Sequence, residues 1–303
     1  MNQEIENVEK VKKRVYYAGF GTMFHNEIDQ AAAAGTPRIN PSTEFAIQDA
    51  SLFDPNKIQA GILKATPDIT ISDENKMYYN GYLAVLEREG ETPIRQWFKS
   101  TDRINVDEAY RLMSDTKHPR AILKEYLGED NRPYKAYVQL DFSQKTKNDN
   151  YFLRHYPDFD LMSKLREYDF EGMKGQYKSA SRVLSSGGGI ELVPVNREKY
   201  ETVFIILNPT HSTLTIMDKS GDILEHDQFR TLAAREQRRV EQEQKEPRGI
   251  RQSNVRFVAQ NGPSESKDAG QVQQPEIGTS PTNEVKKNSR TVKPAAEKKG
   301  RHL

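Results

Sequence analysis

The chain has 303 residues, a hydrophobic fraction of 35% and a mean hydropathy of -0.85, too polar for uniform folding over that length. It contains no cysteine, which excludes disulfide staples, thiolate metal sites and thiol nucleophiles. A net charge of +1 hides an asymmetry, because from Arg230 onward 16 Lys and Arg stand against 9 Asp and Glu, leaving an acidic front and a basic end.

The first residues alternate acidic and basic side chains, so no export signal is read there. The longest apolar run, Val203 to Leu207, is far shorter than the ~20 residues of a membrane helix. A cytoplasmic protein with no membrane partner is expected. From Gln3 to Gln30, Ile5, Val8, Val11 and Val15 recur at helical spacing. Gly19 and Gly21 split that stretch into two helices, and Gly35 with Pro37 ends the second. A Pro- and Asp-containing connector is expected as far as about Ser72, completing an N-terminal region of residues 1–72.

From Met77 the period becomes two, with Tyr78, Asn80, Tyr82, Ala84 and Leu86 on one face. Glu89-Gly90 turns the chain back into Ile94 to Phe98, a β-hairpin. Asn105 and Glu108 form a capping box ahead of an apolar stripe from Val106 to Met113. These elements make a first hairpin-helix lobe, residues 73–130. The order then repeats: Tyr134, Ala136, Val138, Leu140 and Phe142 alternate with polar neighbours, and Tyr151 to Tyr156 returns as a second strand. Asp158 or Asp160 caps the next helix, and Lys174 to Leu184 forms another, stopped by Gly187 to Gly189. Strands Ile190 to Val195, Thr202 to Leu207 and Ser212 to Met217 read as an antiparallel meander. Asp227 is read as the cap of a last helix through Phe229, Leu232 and Val240. Residues 131–245 make a second lobe, and 246–303 read as a disordered basic tail. The fold class is α+β, with antiparallel hairpins and a meander flanked by helices, and the repeated element order suggests two similar lobes.

Several stretches carry a resemblance: YYAGFGTMFHNEI (Tyr16 to Ile28), PYKAYVQLDF (Pro133 to Phe142), FLRHYPDFDL (Phe152 to Leu161) and VFIILNPTHSTLTIMD (Val203 to Asp218). The chain resembles, over roughly residues 14 to 230, a family of proteins carried by conjugative and integrative elements of Bacteroidetes. The resemblance implies a helper or passenger of mobile DNA, and it carries over no active site. Members also tend to end in Gln-, Lys- and Arg-rich tails.

No motif announces catalysis. Gly19-Phe20-Gly21 lacks the preceding strand and third glycine of a dinucleotide site, and no P-loop occurs, so a hinge is read there. Ser185 to Gly189 follows a helix and reads as its stop. No two of the six histidines lie at i, i+4, so neither a zinc site nor any other metal or cofactor is expected. His25 with Glu27 and Asp29, or His155 with Asp158 and Asp160, would work as acid-base groups only beside a nucleophile that the sequence does not supply.

The most suggestive segment interleaves cations and rings around one hairpin, at Lys145, Lys147, Tyr151, Arg154 and Tyr156. Single-stranded nucleic acid binds such surfaces, although alternating rings are also ordinary packing and turn lysines ordinary solvated charges. Arg235, Arg238, Arg239, Arg248 and Arg251 add dispersed phosphate contacts. The sequence therefore points to a non-enzymatic accessory protein of a mobile element, binding nucleic acid or a protein partner of that machinery. A protein-interaction adaptor without nucleic-acid affinity and an enzyme with an unrecognised site remain the alternatives.

Overall fold

In a computed structural model of the chain, residues 6–50, 58–197 and 199–245 are described. The valine stripe forms α1 (Val8–Val15) with Val11 and Val15 buried, and a π-helical turn, Tyr16–Phe20, continues it. Gly19, at φ 99°, and Gly21 separate this turn from α2 (His25–Ala34), as the glycines suggest.

The expected connector is instead sheet. Strands β1 (Arg38–Ile39), β2 (Thr43–Ala50) and β3 (Ile58–Ile71) join β4 (Met77–Glu87) and β5 (Ile94–Lys99), all antiparallel, with β3 pairing β1, β2 and β4. Leu63, Ala65 and Ile69 point into the core along β3. Pro67, the buried Asp68 and a register shift between Asp68 and Ile69 interrupt that alternation and conceal the strand. The same irregularity corrects the face assigned to β4. Asp68 pairs with Gly81 and Ile69 with Tyr79, so Asn80 is the extra residue, and Tyr79 rather than Tyr78 joins Tyr82, Ala84 and Leu86 inside. Burial alone would raise the Asp68 pKa, but hydrogen bonds from Arg38 Nε (2.6 Å), Asn40 and Asn80 hold it below the usual carboxylate value.

Helix α3 (Val106–Met113) has the expected capping box: Glu108 N donates to Asn105 Oδ1 and Asn105 N to Glu108 Oε2, each at 2.9 Å. An unforeseen strand, β6 (Ala121–Leu127), pairs with β7 (Pro133–Lys145), which also pairs with β8 (Tyr151–Tyr156). Three adjacent apolar residues, Ala121 to Leu123, followed by Lys124 and Glu125 blur the period of two there. Asp160 caps α4 (Leu161–Arg166), and α5 (Tyr177–Ser185) ends at the glycine run. The meander β9 (Ile190–Leu192), β10 (Val203–Asn208) and β11 (Thr213–Met217) follows, its first strand shorter than expected.

The last helix, α6 (Leu232–Lys245), starts later than the sequence suggests. His226–Phe229 is a separate 3-10 turn, and the cap is Thr231, whose Oγ1 accepts from Ala234 N at 3.2 Å. Asp227 instead faces Arg230 and Arg238.

The central β7 is covered on both faces. Ala136, Val138 and Leu140 belong to a core built with α1, α2, α3 and the β1–β5 sheet, whereas Tyr137 joins a second core with α4, α5 and the meander. Among the described residues no helix is long and apolar enough to cross a membrane. The expected disordered tail lies outside the described residues.

Candidate nucleic-acid interface

The apolar stripe of α1 has a polar counterpart at the same period. Lys10, Lys13, Arg14 and Tyr17 are spaced i, i+3, i+4, i+7, and all four are exposed. Burial of Val11 and Val15 against the core turns this second stripe outward. It forms one wall of a cavity of about 750 Å³. The opposite wall comes from Lys99 at the end of β5, the Ser100-Thr101 turn and Arg103 ahead of α3. Ala18, Tyr79, Ile104 and Tyr126 make an apolar floor, with Leu127 at the edge.

Electrostatics set this cavity apart. Five cations line it and, among the described residues, no carboxylate does. Lys10, Lys13, Arg14, Lys99 and Arg103 form no ion pair with any described residue, in contrast to Lys12 on the flank of the same helix, which is held by Glu9 at 3.0 Å and by Asp29. Arg103 donates only to a backbone carbonyl, that of Glu125, at 3.3 Å. Asp102, in the lining turn, accepts from Lys99 N at 2.8 Å, and burial raises its pKa. The rim thus carries five cations without an ion pair among the described residues, with the Asp102 charge offsetting part of that of Lys99, and it favours a polyanion. No family model, curated protein or solved structure matches the chain.

The hairpin singled out from sequence is arranged differently. Lys145 is bound to Asp149 at 2.8 Å and sits over the Tyr151 ring. Tyr151 packs on Phe142, with ring centroids 4.8 Å apart. Arg154 is paired with Asp141 at 3.0 Å and lies over Phe152. Tyr156 Oη shares a 2.7 Å hydrogen bond with Thr210 Oγ1, tying the strand to the meander. Lys147 stays exposed at the turn. The hairpin's rings are therefore largely packing, and two of its three cations are already matched.

Arg235, Arg238 and Arg239 are brought onto α6, where they too are engaged. Arg235 donates to the carbonyls of Arg230 and Gln228, Arg238 lies 3.7 Å from Asp227, and Arg239 is 2.7 Å from Glu236. Arg248 and Arg251 lie outside the described residues. In one histidine group the His155 ring packs on Tyr126 and Asp160 is spent capping α4; in the other Asp29 pairs with Lys12, and His25 Nε2 is buried without a hydrogen-bond partner.

A cavity of about 810 Å³ beside α6 is lined by mixed charge, with Lys164, Arg230 and Arg238 facing Glu167, Glu225, Asp227 and Glu241. Its ion pairs join Glu167 at the end of α4 to Lys164 and Arg230, and Arg238 of α6 to Asp227 of the preceding 3-10 turn, an internal role.

The α1 stripe was missed, although a signal for it exists in the sequence: Lys10, Lys13, Arg14 and Tyr17 repeat at helical spacing beside Val8, Val11 and Val15. The far wall has no such signal, because Lys99, Arg103 and Tyr126 reach the cavity only through strand pairings that include the unforeseen β6.

Proposed function

We propose that this chain is a non-enzymatic, cytoplasmic accessory protein of a mobile genetic element, and that it binds nucleic acid through the cavity beside α1. One observation carries this: five exposed cations unpaired among the described residues converge on one concavity whose described lining holds no carboxylate. The mobile-element context rests on the resemblance over residues 14 to 230.

Binding of labelled DNA and RNA to the full chain across a salt series tests the proposal. Each phosphate neutralised contributes about 0.7–0.9 to the slope of log affinity against log salt, so five cations allow a slope of up to about -4. Lys10→Glu with Lys13→Glu and Arg14→Glu should remove most of that slope, while Lys145→Ala with Arg154→Ala should leave it in place. The opposite pattern would move the interface to the hairpin. Absence of binding even at low salt would sink the nucleic-acid proposal.

A further inference from the structure

We propose that the α1 cavity takes single-stranded nucleic acid, with an unstacked base entering over its apolar floor, and that it discriminates against duplex. The proposal rests on the polyanion reading above and adds what kind of polyanion fits.

Charge alone would be served by a flat or convex basic face. Here the cations stand on the rim of a concavity, and Tyr79 and Ile104 at its base are 5% and 3% exposed. A duplex keeps its bases stacked inside and presents phosphate and sugar, so it would touch the rim and leave the floor empty. Single strands splay their bases, and every base has a face that stacks on an aromatic ring. The volume of about 750 Å³ lies in the range of roughly 300–1,000 Å³ that encloses small-molecule-sized groups, the scale of one or two nucleotides.

A stacking platform is already in place. Tyr17 is 68% exposed at the cavity edge, with Tyr16 at 51% and its ring edge-on at 5.5 Å. Both stand on the π-helical turn, a rare geometry that recurs at functional sites. That turn is pinned from below: a Cβ placed on Gly19 would come within 3.0 Å of Val106, so the backbone is packed directly on α3. The backbone that carries the rings is thereby fixed, so a base meets them at a set position on the cavity edge. Lys13 and Arg14, one helical turn back from Tyr17, are placed to meet the phosphates on either side of that base.

The test compares the full chain's affinity for three probes at low salt: an oligothymidylate of about 15 nucleotides, an abasic strand of the same length, and a duplex of the same length, with oligouridylate as the RNA arm. The thymidylate or uridylate strand should bind tighter than the abasic strand and the duplex. Tyr17→Ala should weaken the base-bearing strand by roughly 5- to 100-fold, toward the abasic value, and leave the other two probes unchanged. Tyr17→Phe should restore the preference. The exposed position leaves folding intact, checked by the circular-dichroism melt. Equal affinity for all three probes with Tyr17→Ala silent, or weakening of all three alike, overturns the single-strand proposal. If Lys13→Glu with Arg14→Glu still lowers all three affinities, the polyanion reading survives that failure. If charge reversal lowers none, both fall.

Discussion

Arg230 has 2% of its side chain exposed, and each of its two terminal nitrogens is hydrogen-bonded. Nη1 donates to Glu167 Oε2 at 2.6 Å and Nη2 to Tyr168 Oη at 3.3 Å, while the guanidinium lies 5.0 Å above the Tyr168 ring. Nε sits 3.3 Å from Asp227 Oδ1 without hydrogen-bond alignment. Without Arg230, Glu167 would keep Lys164 at 2.6 Å and its partial exposure, so the loss falls below the ~3–5 kcal/mol of breaking a fully buried pair. Arg230→Ala should lower the denaturant midpoint accordingly, and Arg230→Lys should recover little, because an ammonium has no planar fork to reach Glu167 and Tyr168 together. Full recovery by lysine would mean that charge alone matters.

His226 belongs to the same cluster, with Nδ1 2.6 Å from Tyr168 Oη. Burial first, then the charges of Arg230 and Arg238, push its pKa below the ordinary value, against the smaller opposing pull of Asp227 and Glu167. The fold therefore prefers neutral imidazole, whereas the unfolded chain protonates near pH ~6.5. Stability from this group is complete above that pH and is lost as pH falls toward the folded-state value. Urea midpoints measured from neutral to mildly acidic pH should decline, and His226→Gln should flatten the decline. An unchanged slope in that variant would assign the acid sensitivity elsewhere.

At the scale of elements, β5 and β8 are edge strands of different sheets, and they are joined by side chains instead of a ladder. Gln96, 3% exposed, accepts from Tyr151 N at 2.9 Å and donates to Tyr151 O at 3.2 Å, while Trp97 N donates to Asn150 Oδ1 at 2.9 Å. One amide thus does for Tyr151 what a neighbouring strand would. Gln96→Leu fits the space but leaves both backbone groups unmatched, each costing about 1–3 kcal/mol. Faster amide exchange at Tyr151, with the far end of β8 unaffected, is the expected signature. Uniform exchange across β8 would show that the strand is held by β7 alone.

Elements with a local signal were legible in the sequence. The Asn105–Glu108 capping box, the glycine break after α1 and the 203–217 meander each depend on neighbours a few residues away. β3 was hidden because Pro67 and Asp68 break the period of two that betrays a strand, whereas β2 keeps that period at Thr43, Phe45 and Ile47 and was overlooked. Asp68 is tolerable there only through Arg38, Asn40 and Asn80, partners 30, 28 and 12 residues distant. The interface's α1 wall is periodic but went unread, whereas in the hairpin the fold pairs Arg154 with Asp141 and Lys145 with Asp149, contacts that the interleaved cations and rings of the sequence do not announce.

For the whole molecule, β7 decides whether the two cores behave as one. Its alternate residues feed different clusters, Val138 and Leu140 one and Tyr137 the other, and β6 does the same with Ile122 and Ala121. A strand shared in this way cannot leave one core without exposing the other. The single tryptophan, Trp97, is half-buried on β5, the strand whose Ile94 and Phe98 belong to the first core, so it serves as a probe of that sheet. Leu214 is fully buried in the second. Leu214→Ala should cost about 2–5 kcal/mol through lost burial and the cavity it leaves. If the shared sheet couples the cores, the denaturant midpoint followed by Trp97 fluorescence must shift by the full amount seen in circular dichroism, although the mutation lies across β7 from the probe. A Trp97 transition that stays in place while the dichroism splits into two steps would make each core its own folding unit, with β7 a boundary between two lobes and no longer their common wall.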